Sequence, residues 1–243
     1  MLKKFFCFNI FFVLSAASAF AQIPSGYKSK DFVRLSSLQP TTYYIAQESK
    51  TSCAGKYGGV KYKGSERTKL REMDGTFIAT VCTRFYKVLS MEGSAIMNSR
   101  GRGKFAINYS GRLKNEIRFH ALDRCRYGEG VKKDLCLLPY HSLAADLNAH
   151  KIGDIIYIPL AKGLRLPDGS LHDGFFIVRD TGGAFKGAGA RRVDMFTGTE
   201  PDNNNIFINA GFDRARPMKA YKVRGVAARL IREDLEARFR VIY

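Results

Sequence analysis

The chain has 243 residues, 45% of them hydrophobic, and carries 40 Lys and Arg against 22 Asp and Glu, a formal charge of +18. That length suits one good core, or one core with a substantial insertion. The charge favours a polyanionic partner, but the basic residues are scattered (Lys56, Lys61, Arg71, Arg100, Arg102, Lys132, Arg191, Arg216) rather than set on one reading helix, which argues against nucleic acid.

The chain opens on a secretory signal. Lys3 and Lys4 form a short positive region, Phe5 to Leu14 is apolar apart from Asn9, and Ala19-Phe20-Ala21 places cleavage after Ala21. The apolar core is too short for a membrane span, which needs roughly 20 residues. Export to the periplasm or beyond the cell is therefore expected, and losing Lys3 and Lys4 takes the charge from +18 to +16. Cys7 leaves with the signal. Cys53, Cys82, Cys125 and Cys136 remain, an even number that in an oxidising compartment suggests two disulfides with three possible connectivities. The pairing expected is Cys125–Cys136, closing a short loop, and Cys53–Cys82, tying the N-terminal extension to the main domain. No C-x₂-C spacing supports zinc.

From Gln22 to about Pro40 the chain is polar and lacks a period. Thr41 to Ala46 reads as a strand, and Lys50 to Lys63, rich in Lys, Gly and Tyr, as a loop. Thr76 to Ser90 is dense in β-branched and aromatic residues and reads as one long strand. Shorter strands are expected at 94–97, 104–109 and 116–121. From Asp146 to Val223, strand-like runs alternate with turns such as Asp202-Asn203-Asn204-Asn205. The C-terminus alone has a helical period, with Val226, Ala227, Leu230, Ile231, Leu235 and Phe239 on one face.

Among chemical motifs, a phosphate loop, a G-x-S-x-G elbow and H-E-x-x-H are missing. His141 and His150 flank Asp146 without an H-x-H partner, so no metal is expected. What stands out is Arg179 to Gly198, RDTGGAFKGAGARRVDMFTG. Asp180 ends the apolar run Phe175 to Val178, Gly182 and Gly183 are expected to make a tight reversal, and Asp194 opens the next apolar element. A third carboxylate, Asp146, closes the run Ser142 to Asp146. Taken singly, such aspartates cap turns or pair with Arg179, Arg191 or Arg192.

In combination, LPYHSLAAD (Leu138 to Asp146), Ile158-Pro159, DTGGAFKG (Asp180 to Gly187) and VDMF (Val193 to Phe196) resemble the three-aspartate, or 3D, domain, similar to the catalytic barrel of the membrane-bound lytic transglycosylase A family. The resemblance covers about Ile78 to Val223. It implies a mostly β fold: a six-stranded double-psi β-barrel with an N-terminal β extension and a C-terminal helix. The domain limits expected are 1–21 for the signal, 22–77 for the extension, 78–225 for the barrel and 226–243 for the helix.

The resemblance also implies cleavage of peptidoglycan between MurNAc and GlcNAc, the muramic C6 hydroxyl attacking its own C1 to leave a 1,6-anhydro end. Asp194 would be the single general acid/base, with Asp180 and Asp146 shaping the site. Thr181, Gly182, Gly183, Lys186 and Tyr140 would contact substrate, and neither cofactor nor metal is required. The partner would be the glycan strand, and the protein a monomer. Two departures bear on this pattern: Ala188-Gly189-Ala190 lengthens the turn between Asp180 and Asp194, and Leu164 to Asp173 is inserted before Asp180. The alternatives are a non-catalytic, expansin-like wall-binding barrel, or a hydrolase using Asp180 and Asp194 as an acid/base pair.

Overall fold

The computed structural model describes residues 23–99, 103–201 and 205–240. The expected signal peptide with Cys7, the turn at 100–102 and most of the turn at 202–205 lie outside the described residues. In chain order the first strands are β1 (Phe32–Arg34), β2 (Gln39–Tyr43), β3 (Ala46–Gln47), β4 (Ala54–Tyr57), β5 (Val60–Lys63), β6 (Arg67–Arg71) and β7 (Phe77–Cys82), followed by helix α1 (Thr83–Glu92). After it come β8 (Ser94–Ser99), β9 (Gly103–Leu113), β10 (Glu116–Leu122), β11 (Ser142–Ala145), β12 (Ile155–Tyr157), β13 (Phe175–Asp180) and β14 (Arg192–Phe196). The chain ends through α2 (Ile206–Asn209), β15 (Tyr221–Val223) and α3 (Gly225–Arg240).

The fold is mostly β, as expected. Its main sheet has seven strands rather than six, in the order β1-β15-β12-β13-β11-β14-β2. A four-stranded sheet, β10-β9-β8-β3, and the hairpins β4-β5 and β6-β7 form a second layer of structure. β1 and β2, from the stretch expected to be an extension, are the two ends of the large sheet, while β8 to β10 lie in the small one. Between β1 and β2, Leu38 bridges Met218 through two backbone hydrogen bonds of 2.9 Å.

Strand alternation sorts the core. Leu143, Ala145, Phe176, Val178, Val193 and Met195 point into one buried cluster with Phe207 and Phe212. On the other face Ile155, Tyr157, Phe175 and Ile177 meet Ala227, Ala228, Ile231 and Leu235 of α3; of the face expected from the period, Ala227, Ile231, Leu235 and Phe239 pack here, while Val226 and Leu230 are exposed. Ala144 and Phe196 face a third cluster with Tyr43, Ile45, Leu137 and Phe185. This third cluster is the floor beneath the aspartates. Among the described residues, no helix is long and apolar enough to cross a membrane.

Both disulfides form as expected, Cys53–Cys82 and Cys125–Cys136, and they fit an exported protein. Two local expectations are corrected. The long strand expected over 76–90 stops at Cys82, where α1 begins. Phe85, Val88 and Leu89 are its buried residues, an i, i+3, i+4 set that packing favours over the strand propensity of the same residues. Gly93, at φ 83°, closes the helix with its N–H on the Leu89 carbonyl. The loop expected over 50–63 contains the hairpin β4-β5, because Gly58 and Gly59 take the two consecutive positive φ values that a tight hairpin turn demands.

Candidate active site

Four neighbouring strands place one row of residues at the same level. Asp180 on β13 pairs with Ala144 on β11, Ala144 pairs with Asp194 on β14, and Asp194 pairs with Thr41 on β2. A register shift between Leu143 and Ala144 brings Asp180 level with Ala144; such bulges re-aim side chains. The two aspartates thus stand two strand spacings apart, roughly 10 Å between Cα atoms.

Asp180 is the last residue of β13 and its environment is divided. Burial pushes its carboxyl up to about 6, against the downward pull of the Thr181 N–H, 2.8 Å from Oδ1, and of the Tyr43 hydroxyl. Tyr43 answers in kind: burial, then the charges of Asp180 and Asp194, hold its phenol well above the ordinary range. Its ring packs on Phe196 at 5.1 Å. Tyr43 therefore belongs to the site, and sequence reasoning missed it. Its one signal was position, in the aromatic strand Thr41 to Ala46. Glu92, at the end of α1, approaches the same corner and accepts the Tyr44 N–H at 3.3 Å.

Asp146 plays a different part. It is buried, and its two oxygens accept the N–H groups of Gly189 at 2.9 Å and Asn148 at 3.0 Å. These bonds hold the carboxyl below its usual range. Its side chain thus fastens the lengthened turn between Asp180 and Asp194, with His150 adding a contact to the Ala190 carbonyl at 3.3 Å.

Thr181 anchors the segment after Asp180 to β11 through its hydroxyl, 2.8 Å from the Ala145 carbonyl. The chain does turn after Gly182, with the Phe185 N–H on the Gly182 carbonyl at 2.9 Å, but without the left-handed angles expected of the glycines: Gly182 is extended, at φ −161°, and the positive φ values fall later, at Gly187 and Gly189. Gly183 is not required for space either, since a Cβ there would meet nothing within 4 Å. Phe185 is buried in the floor, with the Arg192 guanidinium 5.3 Å over its ring, while Lys186 is exposed. Tyr140 is not brought to the aspartates. It packs in the opposite-face cluster, 6.1 Å from the Phe207 ring, and its hydroxyl, raised by burial, bonds Glu200.

One cluster offers metal-ligand types, His141, His172 and Asp173, with ligand atoms within 4.8 Å of one another. Its atoms are already engaged. His172 accepts the Gly174 N–H at Nδ1 and donates from Nε2 to the Tyr140 carbonyl, at 2.8 and 2.9 Å. His141 Nδ1 meets the Phe175 carbonyl at 2.9 Å, and Asp173 takes the Phe175 N–H at 2.8 Å and Arg238 of α3 at 2.6 Å. The histidine rings stack at 4.4 Å. Burial lowers both histidines, which fits neutral rings locking α3 to the sheet.

Among solved structures the chain is similar to a membrane-bound lytic murein transglycosylase from Agrobacterium tumefaciens, at 15% identity over 81% of this chain and 77% of that one, TM-score 0.48. It is similar to MltA of E. coli with bound chitohexaose, at 12% identity over 79% and 71%, TM-score 0.46. A third is the lytic transglycosylase LtgG of Burkholderia pseudomallei, at 14% identity over 78% and 73%, TM-score 0.37. No curated protein matches the chain. The family model described as the 3D domain matches residues 141–211, the stretch that carries Asp146, Asp180 and Asp194, so this part of the chain is a 3D domain.

Proposed function

We propose that the protein is an exported peptidoglycan lytic transglycosylase that cuts the MurNAc-GlcNAc bond and leaves 1,6-anhydroMurNAc ends. The observation that carries this reading is the row Asp180–Ala144–Asp194 inside the 3D-domain segment, with Tyr43 beside both carboxylates. In this reading Asp194, protonated, gives its proton to the leaving glycosidic oxygen as the C1–O bond breaks. The resulting carboxylate takes the proton from the C6 hydroxyl as O6 bonds to C1. One group serves both transfers, so proton count balances without water or a second nucleophile. Asp180, with a carboxyl that titrates near 6, sets the charge beside Asp194. Thr181, Gly182, Gly183 and Lys186 border the cleft as substrate contacts.

The six-stranded double-psi barrel belongs to the same proposal. β1 and β2 count as one bent strand, since a short connection carrying the Leu38–Met218 bridge joins them; the large sheet then has six members. The parallel pairs β11·β13 and β14·β2 suit that topology.

A hydrolase reading draws on the raised Asp180 carboxyl, which resembles the acid of a two-carboxylate glycosidase. Digestion of purified sacculi followed by mass spectrometry separates the readings. Anhydromuropeptides, lighter by one water, support the transglycosylase. Reducing ends replace it with the hydrolase, and no soluble product replaces both with a non-catalytic, expansin-like wall binder.

A further inference from the structure

A groove of about 440 Å³ lies along β2 on the side away from β14, between Pro40 and Thr41 and the segment that follows α2. Thr41 belongs to both places: it lines the groove and is the strand partner of Asp194. The backbone of Thr41, at one edge of the groove, therefore lies about one strand spacing, ~4.8 Å, from the backbone of the proposed acid. Ile208 and the buried Phe212 give it an apolar wall. Arg214 and Arg216 reach it from an exposed turn, which is tied by the Arg216 N–H to the Asp213 carbonyl at 2.9 Å. Asp213 also lines it, but its carboxylate accepts the Ala215 N–H at 2.8 Å within the same turn. Among the described residues neither arginine has an acidic partner within ion-pair distance. Two guanidinium forks against one engaged carboxylate leave a site with net positive charge and the geometry that carboxylates fit in a bidentate way.

We propose that this groove seats the carboxylate-bearing peptide attached to the glycan, with Arg214 and Arg216 as its anion-binding side chains; the assignment rests on the peptidoglycan reading above. The argument is one of reach. In peptidoglycan the peptide hangs from the lactyl group on the muramic ring, the same ring whose C1 would react at Asp194. Two extended residues span roughly 7 Å, which carries a carboxylate on the second residue past Thr41 and into the groove. The small side chain of the first residue then rests on Ile208 and Phe212. Selectivity for peptide-bearing over bare glycan follows.

The test measures binding in the Asp194→Asn protein, so that no cleavage confuses it. The probes are soluble glycan fragments with their peptides and the same fragments after an amidase has stripped them. Peptide-bearing fragments should bind about 10-fold more tightly. Adding Arg214→Gln and Arg216→Gln should erase that difference without changing affinity for bare glycan, and Arg→Lys at both positions should keep most of it. Circular dichroism and melting confirm that each variant is folded. Equal affinity for the two probes, a preference that survives the Gln pair, or no binding of either probe overturns the proposal. Product analysis with the unsubstituted protein is scored separately: a peptide preference without anhydro products sinks the cleavage reading and leaves the groove assignment standing.

Discussion

Asp180 and Asp194 share a cross-strand partner, Ala144, which pairs with one aspartate on each side. In this row the Ala144 methyl stands between the two carboxyl-bearing positions. The spacing of roughly 10 Å between Cα atoms is wide for two carboxyls to share one proton, so their roles divide. Tyr43 joins them, because its phenol is raised by the charge of both.

For Asp194 the expected outcome is complete. Asp194→Asn or Asp194→Ala should lower glycan cleavage by ~10⁴-fold or more, the upper end for general acid/base catalysis, because one group handles both proton transfers. Sacculus binding and the melting temperature should stay near wild type. A folded Asp194→Ala protein that still releases anhydromuropeptides at a near-normal rate would show that the acid lies elsewhere.

Asp180 ties the site to stability. Its folded carboxyl titrates near 6 against an ordinary 3.8, so between those values the folded state holds a proton that the unfolded chain has released. The stability it contributes is complete below about 3.8 and is lost as pH rises through about 6. Asp180→Asn keeps an acceptor for the Thr181 N–H while removing the charge. It should raise Tm at about pH 7.5, change it little at about pH 4, and impair cleavage at both. Equal Tm shifts at the two pH values would show that the carboxyl is not raised.

Tyr43→Phe removes a hydroxyl whose presence favours ionised Asp180. The Asp180 limb of the pH–activity profile should move upward, with kcat down about 10-fold, or ~1.4 kcal/mol of barrier. A lower kcat with an unmoved profile would reduce Tyr43 to a packing residue beside Phe196.

The parts legible in the sequence are those whose cause is local. The D-T-G-G segment, the strand before it, the amphipathic face of α3 and the even cysteine count each carry their own signal within a few residues. Tyr43 carries only its position in an aromatic strand, because its place at the site depends on β2 running parallel to β14, about 150 positions away in the chain. The helix α1 was hidden for another reason. Its composition is that of a strand, and only the 3.6-residue spacing of Phe85, Val88 and Leu89 betrays the helix. At Gly182 and Gly183 the residue type suggested special backbone angles, whereas Gly182 is extended and a Cβ at either position would meet at most ordinary contact.

The two disulfides should differ in weight. Cys53–Cys82 closes a separation of 29 residues and Cys125–Cys136 one of 11. Loop-closure entropy then assigns about 3.6 kcal/mol to the first and about 2.8 kcal/mol to the second. Paired Ser substitutions, compared by urea denaturation, should show the larger loss for Cys53 and Cys82. The reverse order would mean that Cys125–Cys136 supports native contacts that chain entropy does not describe.

Asp146 should behave as a fastening and not as a reactant. Both of its oxygens take backbone N–H groups, and the turn they hold, around Gly189, links Asp180 to Asp194. In Asp146→Asn the amide keeps one acceptor but turns an NH₂ toward an N–H, so one of the two bonds becomes a clash of donors. The turn should loosen: a lower Tm, faster proteolysis near residues 187–190, and a cleavage rate reduced but measurable. Because the folded carboxyl lies below its ordinary 3.8, the stability it adds is present above that value and is lost as pH falls through the folded value. The Tm gap between wild type and variant should therefore narrow in acid. Loss of all activity with Tm and proteolysis unchanged would place Asp146 against the substrate, and all three aspartates would then share the chemistry.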